Sequence, residues 1–518
     1  MRRHANRREF LGEVGRGMLV ASVGYGVAVD MGLTPVWAAE ASDAGRLDFG
    51  PLEPLVTLLE ETPQDRVLPV VVERIKKGAD LKTLVAAAAL ANARALGGEN
   101  YVGFHTMMAL EPALLMAQEL PAERAALPVL KVLYRNAGLM PGRDHDTLHA
   151  VAPAALSADQ TARALREAVH RGDKATAEQA LAAAAARSAD DAFNDLLETV
   201  EEGADVHRVV LAHRAWDMLK LCGYEHADTL LRQSVRFCVN HDDLRKHVGD
   251  LPKLLPKLFD AHKLAGRTAG DRRADDAWIA ALSATIFAGT PEQAADAVAA
   301  ALAEGFAGAS ISEAVSLAAN QLLLRDSGRT ETSQRPPEKP LGSVHGDSIG
   351  VHACDSANAW RHIAEASNVR NSMAALILSA YQVAFDRRDR GGDFLRWQPR
   401  PTAEQLERIT TTDPAMLLDE LDEAIRGQEQ ERACALVARY GNVAGDARPV
   451  CDLLLRYAVS EDGSLHAEKF YRTATNEFAL ARPAFRWRQL VALARVTASE
   501  YGRPAPGYAQ ACELLRIA

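Results

Sequence analysis

Apolar residues recur at intervals of three and four positions over almost the whole chain after residue 50. The segments 55–78, 207–223 and 415–427 show this spacing, which is typical of amphipathic helices. The segments 84–96 and 180–193 are rich in alanine, the strongest helix former. No series of alternating apolar and polar residues indicates strands. The sequence therefore predicts an all-α fold.

Two polar segments interrupt this pattern. Residues 325–348 are rich in Pro, Gly and Ser, which predicts a long loop. A second loop is predicted at 387–402. Elsewhere, single Gly or Pro residues separate the helical segments at ordinary helix lengths.

Four sequence features occur twice, in the same order and at similar separations. They are an Ala-rich helix, a Gly-apolar-His motif that opens a long helix, a Glu-Ala pair followed by Arg-Gly and an Ala-rich helix, and a His at a helix start. The matched segments are 84–96 with 314–324, VGFH (102–105) with IGVH (349–352), 165–186 with 421–440, and 205–219 with 464–478. Such order predicts an internal duplication.

We interpret the chain as two diverged helical repeats, residues 50–262 and residues 272–518, joined by 266–276. The second copy contains the 325–348 loop. Each copy is predicted to be a bundle or a short stack of antiparallel helices. A pseudo-twofold axis between the copies would bring equivalent residues towards the same place.

The duplication distinguishes four of the fifteen histidines. His105 matches His352, and His207 matches His466. Helical bundles build metal sites from side chains on facing helices, and imidazole binds transition metals well. We therefore expect these four side chains, or some of them, to hold one metal ion, with iron, zinc or another transition metal as candidates.

Two other interpretations of the paired histidines stay open. A His at a helix start can hydrogen-bond to the backbone, and a duplicated fold would keep that structural role twice. Histidine also titrates near neutral pH, so acid–base chemistry without a metal is a third possibility.

Two carboxylates are candidate catalytic residues. Glu111 lies six positions after His105, and the matching residue in the second copy is Asn358. Asp217 matches Asn476 and is of a type that can orient an imidazole from beyond the metal ligands. A carboxylate in one copy opposite an amide in the other would make the site asymmetric. A surface position on a helix is the alternative for Asp217.

A separate spacing occurs in residues 142–151. His145 and His149 are four residues apart, so they would share one face of a helix beside Asp144 and Asp146. This spacing can bind a metal. It can equally mark a solvated helix start, where Asp is favoured.

Residues 1–41 resemble a twin-arginine export signal. Arg7-Arg8-Glu9-Phe10-Leu11 matches its R-R-x-F-L core, and a weakly apolar, Gly-rich stretch and small residues near 36–41 follow. A membrane anchor or a dinucleotide-binding glycine loop would need a more apolar span or a preceding strand. The resemblance implies a periplasmic or otherwise exported protein that crosses the membrane folded, often with its cofactor inserted.

Composition excludes several functions. A net charge of −10 and 6% aromatic residues give no basis for binding nucleic acid. The six cysteines form no C-x-x-C pair, so a zinc ribbon is not expected. P-loop and C-x-x-C-H motifs do not occur. After signal removal we expect no membrane partner and a small-molecule substrate.

The segments HTMMALE (105–111) and VHACDSANA (351–359) resemble motifs of the questin-oxidase-like family. That family is helical and His-rich, and it includes enzymes assigned to flavin-independent, Baeyer–Villiger-type ring opening of aromatic polyketides. The resemblance implies an oxidoreductase role for His105, Glu111 and His352. This chain differs in its export signal and lacks the additional His beside the first one.

The sequence therefore predicts an exported, metal-dependent enzyme, an oxidoreductase that acts on a small organic molecule between the two halves. The alternative is a non-enzymatic helical-repeat protein that binds a partner or serves as a scaffold along a concave face.

Overall fold

Helices make up nearly all the regular structure of the chain in a computed structural model, which describes residues 45–140, 147–331 and 339–517. Within these ranges the only extended pairing consists of isolated β-bridges. The predicted all-α fold is thus confirmed. The twin-arginine-like segment, residues 1–41, and His145 lie outside the described residues. No helix within the described ranges is long and apolar enough to cross a membrane.

The chain divides into two compact units. In the smaller unit, residues 45–48 and 148–151 are described, and Arg46 forms an antiparallel bridge with His149. The larger unit, residues 49–147 and 152–518, contains nearly all of both predicted repeats.

Twenty-four α-helices are described. Those before residue 270 are α1 (Glu53–Glu61), α2 (Gln64–Lys76), α3 (Leu81–Leu96), α4 (Tyr101–Glu119), α5 (Leu127–Ala137), α6 (Ala158–His170), α7 (Lys174–Ala185), α8 (Ala189–Val200), α9 (Val206–Cys222), α10 (Ala227–Asn240), α11 (Asp243–His247) and α12 (Leu251–Ala261). Short 3₁₀ helices span Gly50–Leu52 and Tyr224–His226.

The helices after residue 270 are α13 (Asp276–Ala288), α14 (Pro291–Ala303), α15 (Gly308–Arg325), α16 (Ile349–Ala366), α17 (Val369–Arg390), α18 (Ala403–Glu407), α19 (Pro414–Arg426), α20 (Gln430–Val443), α21 (Arg448–Ser460), α22 (His466–Leu480), α23 (Trp487–Glu500) and α24 (Tyr508–Leu515).

The structure agrees with one of the two predicted loops more closely than with the other. The first is confirmed in its described part, since α15 ends at Arg325 and α16 begins at Ile349. The second begins later than predicted, because α17 continues to Arg390. Three arginines lie in the last turn of α17, where positive charge interacts favourably with the helix dipole, and Gly391 then ends the helix at a positive φ.

Two alanine-rich helices lie in the core. Residues 84–91 of α3 are at most 2% exposed, and α15 is buried along most of its length. A helix that is buried on all sides needs small side chains, because its neighbours approach it from every direction. These two helices contain the first pair of matched segments in the predicted repeat, 84–96 and 314–324.

Four helices surround the interior where the two predicted copies meet. Helix α4 packs on α9, α9 on α16, α16 on α22, and α22 on α4, which closes a ring. Asn100 caps α4 by accepting the N–H of Gly103, and Asp205 caps α9 by accepting those of His207 and Arg208. These caps fix the first turns of the two helices.

The glycine of each Gly-apolar-His motif permits a close helix contact. A Cβ at Gly350 would lie 2.7 Å from the Cα of Leu323 in α15. A Cβ at Gly103 would lie 2.7 Å from Cδ1 of Leu96 in α3. The side chain of Asn92 in α3 also donates to the Gly103 carbonyl at 2.9 Å. Each glycine therefore lets the helix carrying the motif begin directly against the preceding core helix.

We expect Gly350→Ala to lower the free energy of unfolding by about 1–3 kcal/mol, because the new methyl group meets backbone atoms that cannot move aside. Gly103→Ala should cost less, since it meets the end of a leucine side chain. Gly445→Ala is the control, because nothing lies within 4 Å of its Cβ position. Denaturant unfolding measures all three. Equal losses at the three positions would contradict the close-contact interpretation.

Candidate functional site

The four histidines predicted to be equivalent come together in the folded chain. Neighbouring imidazole centroids are separated by 4.9 Å (His105 to His207), 5.5 Å (His207 to His352), 5.4 Å (His352 to His466) and 5.2 Å (His466 to His105). We call this group the four-His cluster. It joins residues that are distant in sequence and that belong to both predicted copies.

Each member of the four-His cluster lies in the first turns of a different helix, namely α4, α9, α16 and α22. The predicted equivalents, His105 with His352 and His207 with His466, occupy opposite corners. A pseudo-twofold axis through the centre of the ring would produce this order. The duplication itself stays a prediction.

The Nδ1 atoms of two cluster members face the backbone. His105 Nδ1 lies 2.7 Å from the carbonyl oxygen of Tyr101, and His466 Nδ1 lies 3.3 Å from that of Gly463. A carbonyl only accepts, so the proton resides on Nδ1 and Nε2 carries the lone pair. His207 Nδ1 lies 3.6 Å from the Asp205 carboxylate. Such outer partners orient an imidazole that uses its other nitrogen as a ligand.

The Nε2 atoms form the inner face of the cluster. Those of His352 and His466 are 3.3 Å apart. Two nitrogen ligands at 2.0–2.1 Å from one tetrahedral ion are also separated by about 3.3 Å. The Nε2 atoms of His105 and His207 are buried and have no hydrogen-bond partner among the described residues. Buried polar atoms rarely remain unsatisfied, since this costs about 1–3 kcal/mol each.

Burial keeps three of the four histidines neutral. It lowers the pKa of His105 to about 2 and that of His352 to about 3, and the nearby Lys469 ammonium acts in the same direction. The pKa of His466 is lowered well below its ordinary value for the same two reasons. Burial also lowers the pKa of Lys469 to about 8. Neutral imidazole is the form that binds metal ions.

One side of the cluster faces solvent, and Tyr101 covers that side in part. His105 and His466 are 3% and 4% exposed, whereas His207 and His352 are half-buried. The Tyr101 ring is 61% exposed, and its centroid lies 4.5 Å from that of His105 and 5.7 Å from that of His207. Tyr101 therefore lies on the more exposed side of the cluster.

Aromatic rings form the inner wall next to the cluster. The Phe104 centroid lies 4.9 Å from that of His105 and 5.5 Å from that of His207. Phe237 packs edge-on against Phe104 at 5.2 Å. Tyr101 lies next to Phe104, with ring centroids 5.2 Å apart, so these aromatic rings form one surface beside His105 and His207. Such a surface excludes water, which strengthens electrostatic interactions within the cluster.

Within the described ranges, no group of three or more His, Cys, Asp or Glu side chains is arranged so that it could hold a metal ion as it stands. The four-His cluster is a candidate ligand set on other grounds, because its rings converge and the Nε2 atoms of His105 and His207 lack partners. The donor set also fits, since four neutral imidazoles are ligands for first-row transition metals.

The two predicted catalytic carboxylates lie elsewhere. Glu111 pairs with Arg214 at 2.6 Å, and Asp217 lies 3.9 Å from the same guanidinium and 2.8 Å from Lys220. Neither contacts the four-His cluster in the described structure. Cationic partners lower the proton affinity of Asp217, whose pKa is about 2 although burial opposes this. Both carboxylates are engaged in ion pairs, which suits a structural role.

A second histidine pair was missed by the sequence analysis. His213 and His362 stack with centroids 5.2 Å apart and an angle of 13° between the rings. Asp217 Oδ2 lies 3.3 Å from His213 Nε2, so Asp217 does accompany an imidazole, but not one of the four. The Asn476 amide oxygen lies 3.0 Å from His362 Nε2. The two histidines occupy unmatched positions in the copies, so the repeat gave no signal for them.

Comparison with known proteins returns no match. No family model, no curated protein and no solved structure is similar to this chain. The resemblance to the questin-oxidase-like family therefore stays a prediction. Functional inference here depends on the geometry of the chain itself.

His213 gives the fold a dependence on pH. Burial lowers its pKa to about 3, against about 6.5 in the unfolded chain. The folded state thus binds fewer protons, so this stabilisation is complete above about pH 6.5 and is lost as the pH falls. Between pH 7 and 5 the loss should be about 2 kcal/mol, and His213→Gln should remove it. Denaturant unfolding of metal-free protein at several pH values measures the two slopes; identical slopes would contradict this.

Proposed function

We propose that this chain binds one first-row transition-metal ion through the Nε2 atoms of His105, His207, His352 and His466. We further propose that it is an exported, metal-dependent oxidoreductase that acts on a small organic molecule at this centre. The observation that carries the proposal is the convergence of four imidazoles from four helices, with the inner Nε2 atoms of two of them buried and without partners.

A purely structural role explains the cluster less well. Hydrogen bonds from Nδ1 to the backbone would satisfy such a role, and His105 and His466 have contacts of this kind. The inner nitrogens of His105 and His207, however, gain nothing from the protein. A ligand at the centre of the ring offsets that cost, because each Nε2 lone pair would then have a partner.

The four imidazole nitrogens restrict which metal ions the site can bind. Four nitrogens without a thiolate suit iron, zinc, copper or nickel, whereas calcium and magnesium require oxygen ligands. Iron held by four imidazoles would supply redox chemistry at this centre. We favour iron for this reason, and we place the substrate beside Tyr101.

The chain's own residues have distinct roles in this proposal. Asp205 holds the first turn of α9 and lies beside the Nδ1 of His207, so it orients that ring. Phe104 excludes water from the inner wall. Tyr101 partly covers the approach from solvent. Lys469, three residues after His466, carries a positive charge near the cluster that a bound anionic group can balance.

The proposed location agrees with this assignment. The twin-arginine-like start resembles signals that direct folded proteins across a membrane, and a centre assembled from four distant helices must fold before it can hold a metal. The alternative, a scaffold that binds along a concave helical face, is favoured by no particular contact of the described residues.

The metal assignment predicts one equivalent of metal per chain. We expect elemental analysis of natively produced protein to find it, and His105→Gln, His207→Gln, His352→Gln and His466→Gln each to weaken binding at least ~100-fold. His247→Gln is the control, since that side chain is 59% exposed and pairs with Asp389. Cobalt(II) titration followed by absorbance provides the affinity. Unchanged cobalt binding in all four variants would refute the site.

The position of Tyr101 predicts that its side chain slows the entry of small ligands to the proposed metal centre. An aromatic contact worth about 0.5–1.5 kcal/mol holds its ring over His105, so Tyr101→Ala should speed azide binding to the cobalt-loaded centre by roughly 2- to 10-fold. Tyr101→Phe keeps the ring and should behave like the wild type. Stopped-flow absorbance measures the rate. If azide binds equally fast to all three proteins, Tyr101 does not cover the site.

A further inference from the structure

A cavity of about 590 Å³ lies apart from the four-His cluster, and arginine side chains line much of it. Its walls come from the segment after α15, from α18, from the start of α20 and from α23. The residues that matter for its chemistry are Arg400, Arg408, Arg432, Arg495, Gln405 and Gln430. Its volume is that of an ordinary small-molecule site. We call it the anion cavity.

We propose that the anion cavity binds a small organic carboxylate that also carries a hydroxyl group. The proposal is independent of the metal centre, because no member of the four-His cluster lines the cavity.

Arg495 provides the main reason. Its side chain is 1% exposed, and its two terminal nitrogens donate to the carbonyl oxygens of Leu323 and Asp326. Its Nε has no partner, and no carboxylate of the described residues lies within ion-pair distance. A buried guanidinium without a counter-ion is costly, so an anion in the cavity beside it would be strongly favoured.

The other arginines differ from Arg495 in being paired. Arg400 binds Glu431 at 3.0 Å, Arg432 binds Glu429 at 3.1 Å, and Arg408 binds Glu404. The carboxylates of the region therefore already have cationic partners, which leaves the charge of Arg495 unbalanced.

Two guanidinium groups meet at one backbone atom. Arg400 Nη1 lies 3.3 Å from the carbonyl oxygen of Asp326, and Arg495 Nη2 lies 2.5 Å from the same oxygen. Two neighbouring cations repel each other, and an anion between them would turn that repulsion into attraction. Guanidinium groups bind carboxylates and phosphates through paired, parallel hydrogen bonds. We infer an organic carboxylate because the cavity, about 590 Å³, is much larger than inorganic phosphate needs.

The side chain of Gln430 places a second requirement on the ligand, in addition to the carboxylate. Its amide nitrogen donates to the carbonyl oxygen of Gly342 at 3.2 Å, so the side-chain oxygen faces away from that bond. This oxygen is buried and has no partner among the described residues. It can only accept a hydrogen bond, so the ligand must carry a donor as well as the carboxylate. A hydroxy acid has both groups.

The test compares three probes on the purified full chain at matched ionic strength. We expect isothermal titration calorimetry to show saturable binding of malate, weaker binding of succinate, which lacks the hydroxyl, and still weaker binding of inorganic phosphate. Absence of malate binding, or tighter binding of succinate or phosphate than of malate, would overturn the proposal.

A substitution that adds a negative charge to the anion cavity provides the decisive test. Gln405 is the third residue of α18, and its side chain and Thr402 cap each other reciprocally, an arrangement that glutamate supports equally well. Gln405→Glu should therefore keep the fold and weaken malate binding ~10-fold or more by repulsion. Gln293→Glu is the matched control, because Gln293 forms the same reciprocal cap with Thr290 outside the anion cavity. Equal malate affinity in both variants would locate the binding elsewhere.

We expect malate binding at the anion cavity to be independent of the metal centre. His105→Gln should bind malate as the wild type does, whether or not its metal site is loaded. If malate affinity falls in His105→Gln and is unchanged in Gln405→Glu, malate binds at the four-His cluster and the anion cavity is not its site.

Discussion

The burial of four imidazoles where four helices begin is the constraint on which the rest of the interior depends. Burial removes the water that would stabilise a protonated ring, and it lowers the pKa of three of the four histidines. A helix start also carries a partial positive charge, which disfavours a protonated ring. The caps at Asn100 and Asp205 fix the first turns of α4 and α9, and the glycines at 103 and 350 let α4 and α16 begin directly against α3 and α15.

The two proposed sites represent opposite electrostatic problems. In the four-His cluster the Nε2 atoms of His105 and His207 are buried without a partner among the described residues, and a bound cation would supply one. At Arg495 a buried guanidinium has no carboxylate at ion-pair distance among the described residues, and a bound anion would supply one. Both groups are costly without a ligand, so we interpret both as binding sites rather than as contributions to stability.

Much of the fold and the central cluster followed from the sequence, because helical periodicity and an ordered repeat are local patterns that survive divergence. The predicted repeat singled out His105, His207, His352 and His466, which lie together in the structure. It also singled out Glu111 and Asp217, which lie away from the cluster near Arg214, a neighbour that spacing could not identify. Tyr101, the His213–His362 stack and Arg495 were missed because their roles arise from contacts between segments that no repeat relates.

The order of the four histidines around the ring has a consequence for biosynthesis. Adjacent corners alternate between contacts within one predicted copy and contacts across the two, and His466 follows the other three in the sequence. Neither predicted copy alone can present four imidazoles to one ion. During translation the proposed metal centre would therefore stay incomplete until His466 has emerged from the ribosome, so acquisition of a metal would report that both halves have folded together.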